Sequence, residues 1–212
     1  MVPEFPVWKI EREASELLEA AYPAGLPGSY IDIEWVIEEH CGLEIFPVPG
    51  LRSGWQTDGA FCALPDGGYS LAVDEDTMDH KPNRYRFTLG EELGHYVLHA
   101  SYLPRVATVA EALALYHKLD NWDRMDRNAR RFAAAVLMPM QTLTRSTEKA
   151  YATLVKTVGL ADAEGFVKRL VAALAKVYGV SADAMKYRLK AYPARLADRI
   201  EAAIGEGLHY LP

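Results

Sequence analysis

Cysteine is scarce in this 212-residue sequence, and long apolar runs are absent. Cys41 and Cys62 are too few for a disulfide framework or a thiolate zinc site, so we expect two small buried side chains in a reducing compartment. No stretch approaches the ~18 apolar residues of a membrane span, and the start lacks a basic segment followed by an apolar run. We therefore expect a cytoplasmic protein with no membrane partner.

Basic residues are fewer than acidic residues, 23 against 29, which gives a formal net charge of −6. This balance argues against nonspecific binding of nucleic acid by the whole chain. The charge is uneven, because residues 148–200 carry ten Lys or Arg and five Asp or Glu, a local +5, while the remainder carries −11. The C-terminal part is thus basic and the rest of the chain acidic.

Hydrophobic periodicity predicts one block of strands with helices before and after it, which is the α+β class. Strands are expected in LEIFPV, DGAFCAL and YSLAV, and the turn at 65–68 joins the last two, so we predict a small antiparallel sheet on a mostly helical body. Helices are expected at 8–22, 33–41, 83–100, 119–138, 148–158, 163–178, 182–191 and 194–204.

A polar run at 139–147 predicts the domain boundary. We expect a core formed by residues 1–145 and a helical C-terminal part formed by residues 146–212.

The stretch RFTLGEELGHYVLH, residues 86–99, carries the strongest chemical signal. Glu91 and His95 stand four residues apart on a predicted helix, where Cβ atoms lie ~5–6 Å apart and two side chains can reach one ion. Glu92 occupies the position from which a carboxylate takes a proton from metal-bound water in the HExxH arrangement. Glu91 replaces the first His of that pattern, and carboxylate oxygen is an accepted zinc ligand.

His99 offers an alternative, because it forms a second i, i+4 pair with His95. In that pair Tyr96 would stand where the base should be. We therefore rank His99 below Glu91, as an alternative ligand or as a residue that packs beside the ligands.

A purely structural interpretation of Glu91 also stays open, because Thr88 and Glu91 match a capping box. Against it, Pro82 is a better start signal and would put Glu91 well inside the helix. Gly90 and Gly94 lie one turn apart, and each costs ~1 kcal/mol relative to Ala in a helix, so we predict that another backbone passes close by.

These residues resemble the ImmA/IrrE metallopeptidase family, whose central helix typically reads RFTLAHELGHYLLH. RFAAAVLMP at 131–139 is similar to the family's FA-x-x-LLMP segment, and LAKVYGVSADAMKYRL at 174–189 is similar to its C-terminal segment. The resemblance covers roughly residues 8–192. In the central helix the matching residues are Arg86, Phe87, Thr88, Leu89, Glu92, Leu93, Gly94, His95, Tyr96, Leu98 and His99.

The resemblance implies a zincin-like cytoplasmic peptidase, usually encoded by phages, mobile elements or stress-response loci, that cuts a helix-turn-helix repressor and so regulates transcription. It also implies three metal ligands, namely two motif histidines and a Glu four residues before the Phe of the FA segment. In this chain those positions are Glu91, His95 and Asn128, so two of the three depart from the pattern. Glu92 is the expected base. Zinc is the expected metal, with manganese as an alternative because the ligands are richer in oxygen.

The two departures allow two interpretations. In the family's ligand set, two neutral histidines and one carboxylate give a divalent ion and its ligands a net charge of +1. Glu91, His95 and neutral Asn128 give the same net charge. Hydrolysis with Glu92 as base therefore stays chemically feasible. Alternatively, the site is degenerate and holds no metal.

Asp126 lies on the same predicted helix as Asn128 and is a candidate substitute ligand. At 3.6 residues per turn it points roughly 160° away from the inward-facing positions, so we expect it on a solvated face with Arg127 and Arg130.

Three functions follow from these patterns. The first is a metal-dependent endopeptidase acting on a helix-turn-helix repressor or an antitoxin-like partner. The second is a degenerate member that acts as a regulatory protein-interaction module. The third is a DNA-binding regulator that uses residues 174–191, which resemble half of a helix-turn-helix. We rank direct DNA binding last, because Met185 and Leu189 form an apolar stripe typical of a core.

Overall fold

A computed structural model of the protein describes residues 5–211. Among these residues, no helix combines the length and the apolar character needed to cross a membrane. The regular elements are α1 (Val7–Ala21), α2 (Ile33–Trp35), a π-helical turn (Val36–His40), β1 (Glu44–Val48), α3 (Leu51–Trp55), β2 (Gly59–Ala63), β3 (Tyr69–Asp74), α4 (Glu75–His80), α5 (Pro82–His99), a 3-10 turn (Ala100–Tyr102), α6 (Val109–Tyr116), α7 (Trp122–Leu137), α8 (Met140–Val158), α9 (Ala163–Tyr178), α10 (Ala182–Lys190) and α11 (Leu196–Gly205).

The chain divides into two compact units. The first runs to Gly25 and resumes over Asp32–Leu137, and the second comprises Leu26–Ile31 and the chain from Met138 onward. The prediction placed a division after residue 145, whereas the structure divides the chain after Leu137. The difference arises because the polar run at 139–147 is helical from Met140 onward and does not act as a linker.

The threonine hydroxyls of this polar run find hydrogen-bond partners within the helix. Thr144 Oγ1 donates to the carbonyl oxygen of Met140 at 2.9 Å, and Thr147 Oγ1 donates to that of Leu143 at 2.7 Å. Each hydroxyl thus finds its partner one turn back on the same helix. The predicted helix at 148–158 is therefore the second half of a longer one.

Local capping signals located several helices correctly. The Asp32 carboxylate accepts a hydrogen bond from Trp35 N at 3.1 Å, as expected of an N-cap, and α5 begins at Pro82. The predicted helix at 163–178 is α9. Helix α6 was not predicted, although its N-cap Thr108 accepts a hydrogen bond from Glu111 N at 3.2 Å.

The three-stranded sheet is mixed, which corrects the prediction of an antiparallel sheet. Its order is β1-β3-β2; β2 is antiparallel to β3, as the predicted hairpin requires, but β1 is parallel to β3. Because β1 and β2 flank β3, the connection at 49–58 must carry the chain from one edge of the sheet to the other. This connection contains α3, and its length permits the parallel pairing.

The sheet separates two layers of the first unit. On one face, Ala60 and Ala72 pack with Leu51 of α3 and Leu113 of α6. Side chains alternate along a strand, so Gly59 and its neighbours of the same parity face the other side, which α5 covers. Both cysteines were expected to be buried. Cys62 is buried, whereas Cys41 is only half-buried.

Helices α5 and α7 pack closely through the two glycines of α5. A Cβ atom built on Gly94 would lie 2.9 Å from both the Cα atom and the carbonyl oxygen of Ala129, and one built on Gly90 would lie 3.0 Å from the Cβ atom of Ala133. This confirms the prediction that another backbone passes beside these glycines. The contact places the turn of α5 that holds the motif against the first half of α7.

The second unit is a helical body formed by α8 to α11 and the short segment Leu26–Ile31. Ser29 Oγ lies 3.0 Å from Ser146 Oγ, and Tyr178 donates from its hydroxyl to Ser146 at 3.1 Å. Arg188 is 1% exposed, and its Nε donates to the carbonyl oxygen of Met138 at 3.0 Å. This arginine therefore belongs to the interior of the unit.

Candidate metal centre on helix α5

Glu91 lies in the middle of α5, nine residues after the helix begins at Pro82. A capping box with Thr88 is therefore excluded, because both residues have helical neighbours on either side. The Glu91 side chain turns toward α7, where its Oε1 accepts a hydrogen bond from Arg130 Nε at 3.0 Å. The candidate metal ligand is thus engaged by a guanidinium group.

Arg130 links two carboxylates. Besides Glu91, it contacts Asp126 one turn earlier on α7, with Nη2 at 2.9 Å from Oδ2. Burial raises the pKa of Glu91 to about 7, and the positive charge of Arg130 opposes that shift. The result is an ion-pair cluster of two acids around one cation, which we call the Arg130 cluster (Glu91, Asp126 and Arg130).

The position of Asp126 differs in part from the prediction. It does pair with Arg130, but its side chain is half-buried, and burial raises its pKa. The 3.6-residue period predicts the direction of Asp126 relative to Asn128 on α7. It does not predict that the face of α7 with Asp126 and Arg130 lies beside Glu91, because that contact depends on how α5 and α7 cross.

Asn128 is buried, with 3% of its surface exposed. It precedes Ala129, whose backbone lies against Gly94, so the packing brings Asn128 to the turn of α5 that also holds His95. The assignment of Asn128 as a ligand stays a prediction. Its side chain adds a neutral amide there, and no carboxylate.

His95 and His99 are both buried on α5, with 3% and 0% of their surfaces exposed. Their ring centroids are 5.2 Å apart, and the Trp122 indole stacks on His95 at 4.9 Å with an interplanar angle of 9°. Burial lowers the pKa of His95 to about 3 and that of His99 to about 4, so both rings are neutral at pH 7. Within residues 5–211, Nδ1 of His95 and both ring nitrogens of His99 have no hydrogen-bond partner.

Glu92 points from α5 toward the sheet. Its carboxylate accepts a hydrogen bond from the backbone of Phe61 on β2, and burial together with the nearby Glu91 raises its pKa well above the usual range. A Cβ atom on Gly59 would lie 2.8 Å from Glu92 Oε1, so only glycine leaves room for this carboxylate. Burial and Glu91 thus favour the protonated form of Glu92, whose carboxyl group lies against edge strand β2.

The outer edge of β2 is occupied by groups from the same chain. The N–H group of Ala63 donates to the Tyr116 hydroxyl at 3.4 Å, and its carbonyl oxygen accepts from Val106 N at 2.8 Å. With the Phe61 N–H group held by Glu92, the outward-facing groups of this edge are largely satisfied. An extended peptide therefore finds few free groups for pairing on β2.

The residues present do not fit the metal site that the family resemblance implies. Arg130 puts a positive charge on the carboxylate that would bind the ion, and Asn128 supplies a neutral amide. A metal-binding His usually donates from its second ring nitrogen, but Nδ1 of His95 has no partner in the described chain. Within residues 5–211, no three His, Cys, Asp or Glu side chains form a group able to hold an ion. We therefore assign no chemical step to a metal held by Glu91, His95 and Asn128.

Sequence reasoning missed three contributors to this region, namely Arg130, Trp122 and Phe61. The sequence did contain a signal for Arg130. The glycine pair in α5 predicted that another backbone lies close to this helix, and Arg130 lies one helical turn after Asp126 on the neighbouring helix α7. Trp122 and Phe61 lie far from the motif in sequence, so no local pattern connects them with His95 or Glu92.

Comparison with known proteins agrees with this architecture. No curated protein matches the chain. The family model Peptidase_M78, described as the IrrE N-terminal-like domain, matches residues 56–190, more than half of the chain. The match includes β2, β3, the motif helix α5, helix α7 with Asn128, and the chain through α10. The chain therefore belongs to the Peptidase_M78 family of metallopeptidases.

Proposed function

We propose that this protein is a regulatory member of the Peptidase_M78 family that binds a protein partner without cutting it. The observation that carries the proposal is the hydrogen bond of 3.0 Å from Arg130 Nε to Glu91 Oε1. A guanidinium at this position repels a divalent ion, and neutral Asn128 adds no charge to attract one. The metal-binding position is thus converted into a structural ion pair.

The surroundings of Glu92 support the same proposal. A general base accepts a proton in its ionised form, and burial together with Glu91 raises the pKa of Glu92, which favours its protonated form. In addition, the occupied β2 edge leaves little room for a peptide to pair next to Glu92. Together these features argue against water activation at this site and leave the fold free for binding.

The partner class that we propose is a helix-turn-helix repressor or an antitoxin-like protein, as the family resemblance implies. Helix α10 offers a suitable surface, because Lys186, Tyr187 and Lys190 are exposed on one side of it. Two lysines around an exposed tyrosine favour an acidic partner surface. Buried Met185 and Leu189 hold the opposite side of α10 in the core.

Direct DNA binding has less support. Arg188 would be the natural base-reading side chain on α10, but it is buried and donates to Met138. Lys186 also lies 3.8 Å from the Asp183 carboxylate, which reduces the positive charge that this surface offers to phosphate or to an acidic partner.

Endopeptidase activity is the second candidate function. It is favoured by family membership and by the placement of an acid and an imidazole, Glu92 and His95, one turn apart on α5. Both candidates predict a complex with a protein partner, so the two are distinguished by the fate of that partner.

The test screens the purified chain against the helix-turn-helix proteins of its own genome. We expect a stable complex by titration calorimetry, unchanged in Glu92→Gln and in the presence of a chelator, with the partner intact by mass spectrometry. Charge reversal in Lys186→Glu/Lys190→Glu should weaken the complex at least tenfold, and Lys118→Glu, an exposed lysine of the first unit, should not. Cleavage that disappears in Glu92→Gln would instead establish the peptidase, and absence of any complex would overturn the proposal.

A further inference from the structure

The outer edge of β2 carries the main-chain groups of three alternate residues, Gly59, Phe61 and Ala63, which face away from β3. The Glu92 carboxyl holds the N–H group of Phe61. The Gly59 carbonyl oxygen accepts a hydrogen bond from Thr57 Oγ1 at 3.0 Å. Side chains therefore satisfy groups that a neighbouring strand would otherwise bind. Such a row of edge groups is a template for pairing with another chain.

A loop segment covers the remaining part of this edge. Residues 103–107, which we call the strap, lie between the 3-10 turn and α6. Leu103 is extended, with φ −86° and ψ 138°, and Val106 N donates to the Ala63 carbonyl oxygen at 2.8 Å. The strap thus lies where an extended peptide would pair with the end of β2.

Side chains fix the strap at three points. Leu103 and Val106 are buried, with 6% and 3% of their surfaces exposed. Between them, Arg105 donates from Nη1 to the Leu64 carbonyl oxygen at 2.6 Å, and its guanidinium carbon lies over the Tyr69 ring, 5.3 Å from the centroid. Two apolar residues three positions apart, with a basic residue directly before the second, therefore describe what this edge holds.

We propose that the strap is an internal occupant of a peptide-binding edge, and that an extended partner segment with the same apolar and basic residues displaces it. A peptide that adds to a sheet edge gains affinity from main-chain hydrogen bonds and specificity from pockets for its side chains. The strap makes both kinds of contact within the chain. The proposal is independent of the α10 surface, and it requires no cleavage of the peptide.

Few main-chain bonds hold the strap in place. Within residues 5–211, Val106 N makes the one hydrogen bond between main-chain groups of the strap and of β2. Pro104 has no N–H group to donate. The Ala63 N–H group reaches the Tyr116 hydroxyl only at 3.4 Å, longer than an ordinary hydrogen bond. A peptide without proline at this position can bind the edge through more main-chain groups than the strap uses.

Competition between strap and peptide has a sign that can be measured. If the strap covers the edge, the apparent affinity for a peptide is reduced by the fraction of molecules in which the edge is open. Weakening the strap should therefore strengthen peptide binding. A loop that serves only as a structural contact would give the opposite result, because its loss would not create a peptide site.

The experiment uses a labelled synthetic peptide, SYLPRVAT, which copies residues 101–108, and measures its binding to the full chain by fluorescence anisotropy. We expect Arg105→Ala/Val106→Ala to bind the peptide at least tenfold more tightly than the wild-type chain. Arg169→Ala/Val177→Ala changes the same residue types at exposed positions of α9 and should bind like wild type. Equal affinity in the strap variant and wild type, or no binding by the strap variant, would overturn the proposal.

A second variant covers the case in which the loss of Val106 unfolds the chain. Arg105→Ala changes an exposed side chain and should bind the peptide at least threefold more tightly than wild type. With saturating peptide, amide hydrogen exchange at Val106 in this variant should become faster, because its bond to Ala63 is lost. Unchanged or slower exchange at Val106 would contradict displacement of the strap.

Discussion

Arg130 Nε and Glu91 Oε1 are 3.0 Å apart, although the two residues belong to different helices and lie far apart in the sequence. The bond is an ion pair between α5 and α7, and the Arg130 side chain that forms it is 60% exposed. Both helices are thereby joined at the point where the family resemblance places a metal ion. Arg130 thus contacts a residue at which the motif departs from the family pattern.

Restoring the ligands implied by the family should restore metal binding at this position. The test starts from a His99→Leu chain, in which His95 has lost its second imidazole neighbour. When Glu91→His, Asn128→Glu and Arg130→Ala are added to this chain, we expect zinc to bind roughly tenfold more tightly or better. The reason is that two ligands are gained and one opposing charge is lost. Titration calorimetry measures the change. Arg130→Ala alone in the same background is the control, and equal affinity in both variants would contradict the prediction.

The contact between Gly94 and Ala129 should make Gly94→Ala destabilising despite the better helix propensity of alanine. The added Cβ atom would meet backbone atoms at 2.9 Å, and backbone cannot move aside cheaply. We expect a loss of about 1–3 kcal/mol in the free energy of unfolding, measured by urea denaturation. Gly54→Ala is the matched control, because no atom lies within 4 Å of its Cβ position, and it should stabilise the chain slightly. An unchanged free energy of unfolding in Gly94→Ala would show that α5 and α7 move apart readily.

Buried neutral histidines should make the protein sensitive to acid. The pKa of His99 is lowered to about 4 in the folded state, so the unfolded chain binds the extra proton first as the pH falls below about 6.5. Its contribution to stability is complete above that pH and is lost between about pH 6.5 and 4, amounting to at most about 3 kcal/mol. His99→Leu should remove this part of the pH dependence in urea unfolding measured at several pH values, whereas His80→Ala should not. Parallel curves for wild type and His99→Leu would contradict the assignment.

The Tyr116 hydroxyl should protect the edge of β2. It accepts the Ala63 N–H group at 3.4 Å and donates to the carbonyl oxygen of Pro104 at 3.1 Å. Tyr116→Phe should therefore accelerate amide hydrogen exchange at Ala63 and cost about 1 kcal/mol in the free energy of unfolding. Tyr102→Phe, which alters an exposed hydroxyl, is the control. Unchanged exchange at Ala63 would show that other contacts close the edge.

Local chemistry made part of this structure predictable. Asp32 and Pro82 mark helix starts through contacts within a few residues, and the spacing of Gly90 and Gly94 foretold the neighbouring backbone. The turn at 65–68 likewise predicted the β2–β3 hairpin. In each case the cause and its effect lie close together in the sequence.

The remaining features depend on contacts between distant segments. The parallel pairing of β1 with β3 arises from the path of the connection at 49–58, which no local pattern encodes. The bond from Arg130 to Glu91 requires the crossing of α5 and α7. The domain boundary predicted at 139–147 was wrong for a different reason. Thr144 and Thr147 are residues typical of turns, but in α8 their hydroxyls donate to carbonyl groups of the same helix.

The short segment Leu26–Ile31 has a consequence for how this protein can be divided. It belongs to the second unit, while the chain on both sides of it belongs to the first. A fragment ending at Leu137 would thus keep Leu26–Ile31 but lose Ser146, its hydrogen-bonding partner, and would leave Ile31 without the unit that contributes to its burial. No single cut of the chain therefore separates the two units with each one complete.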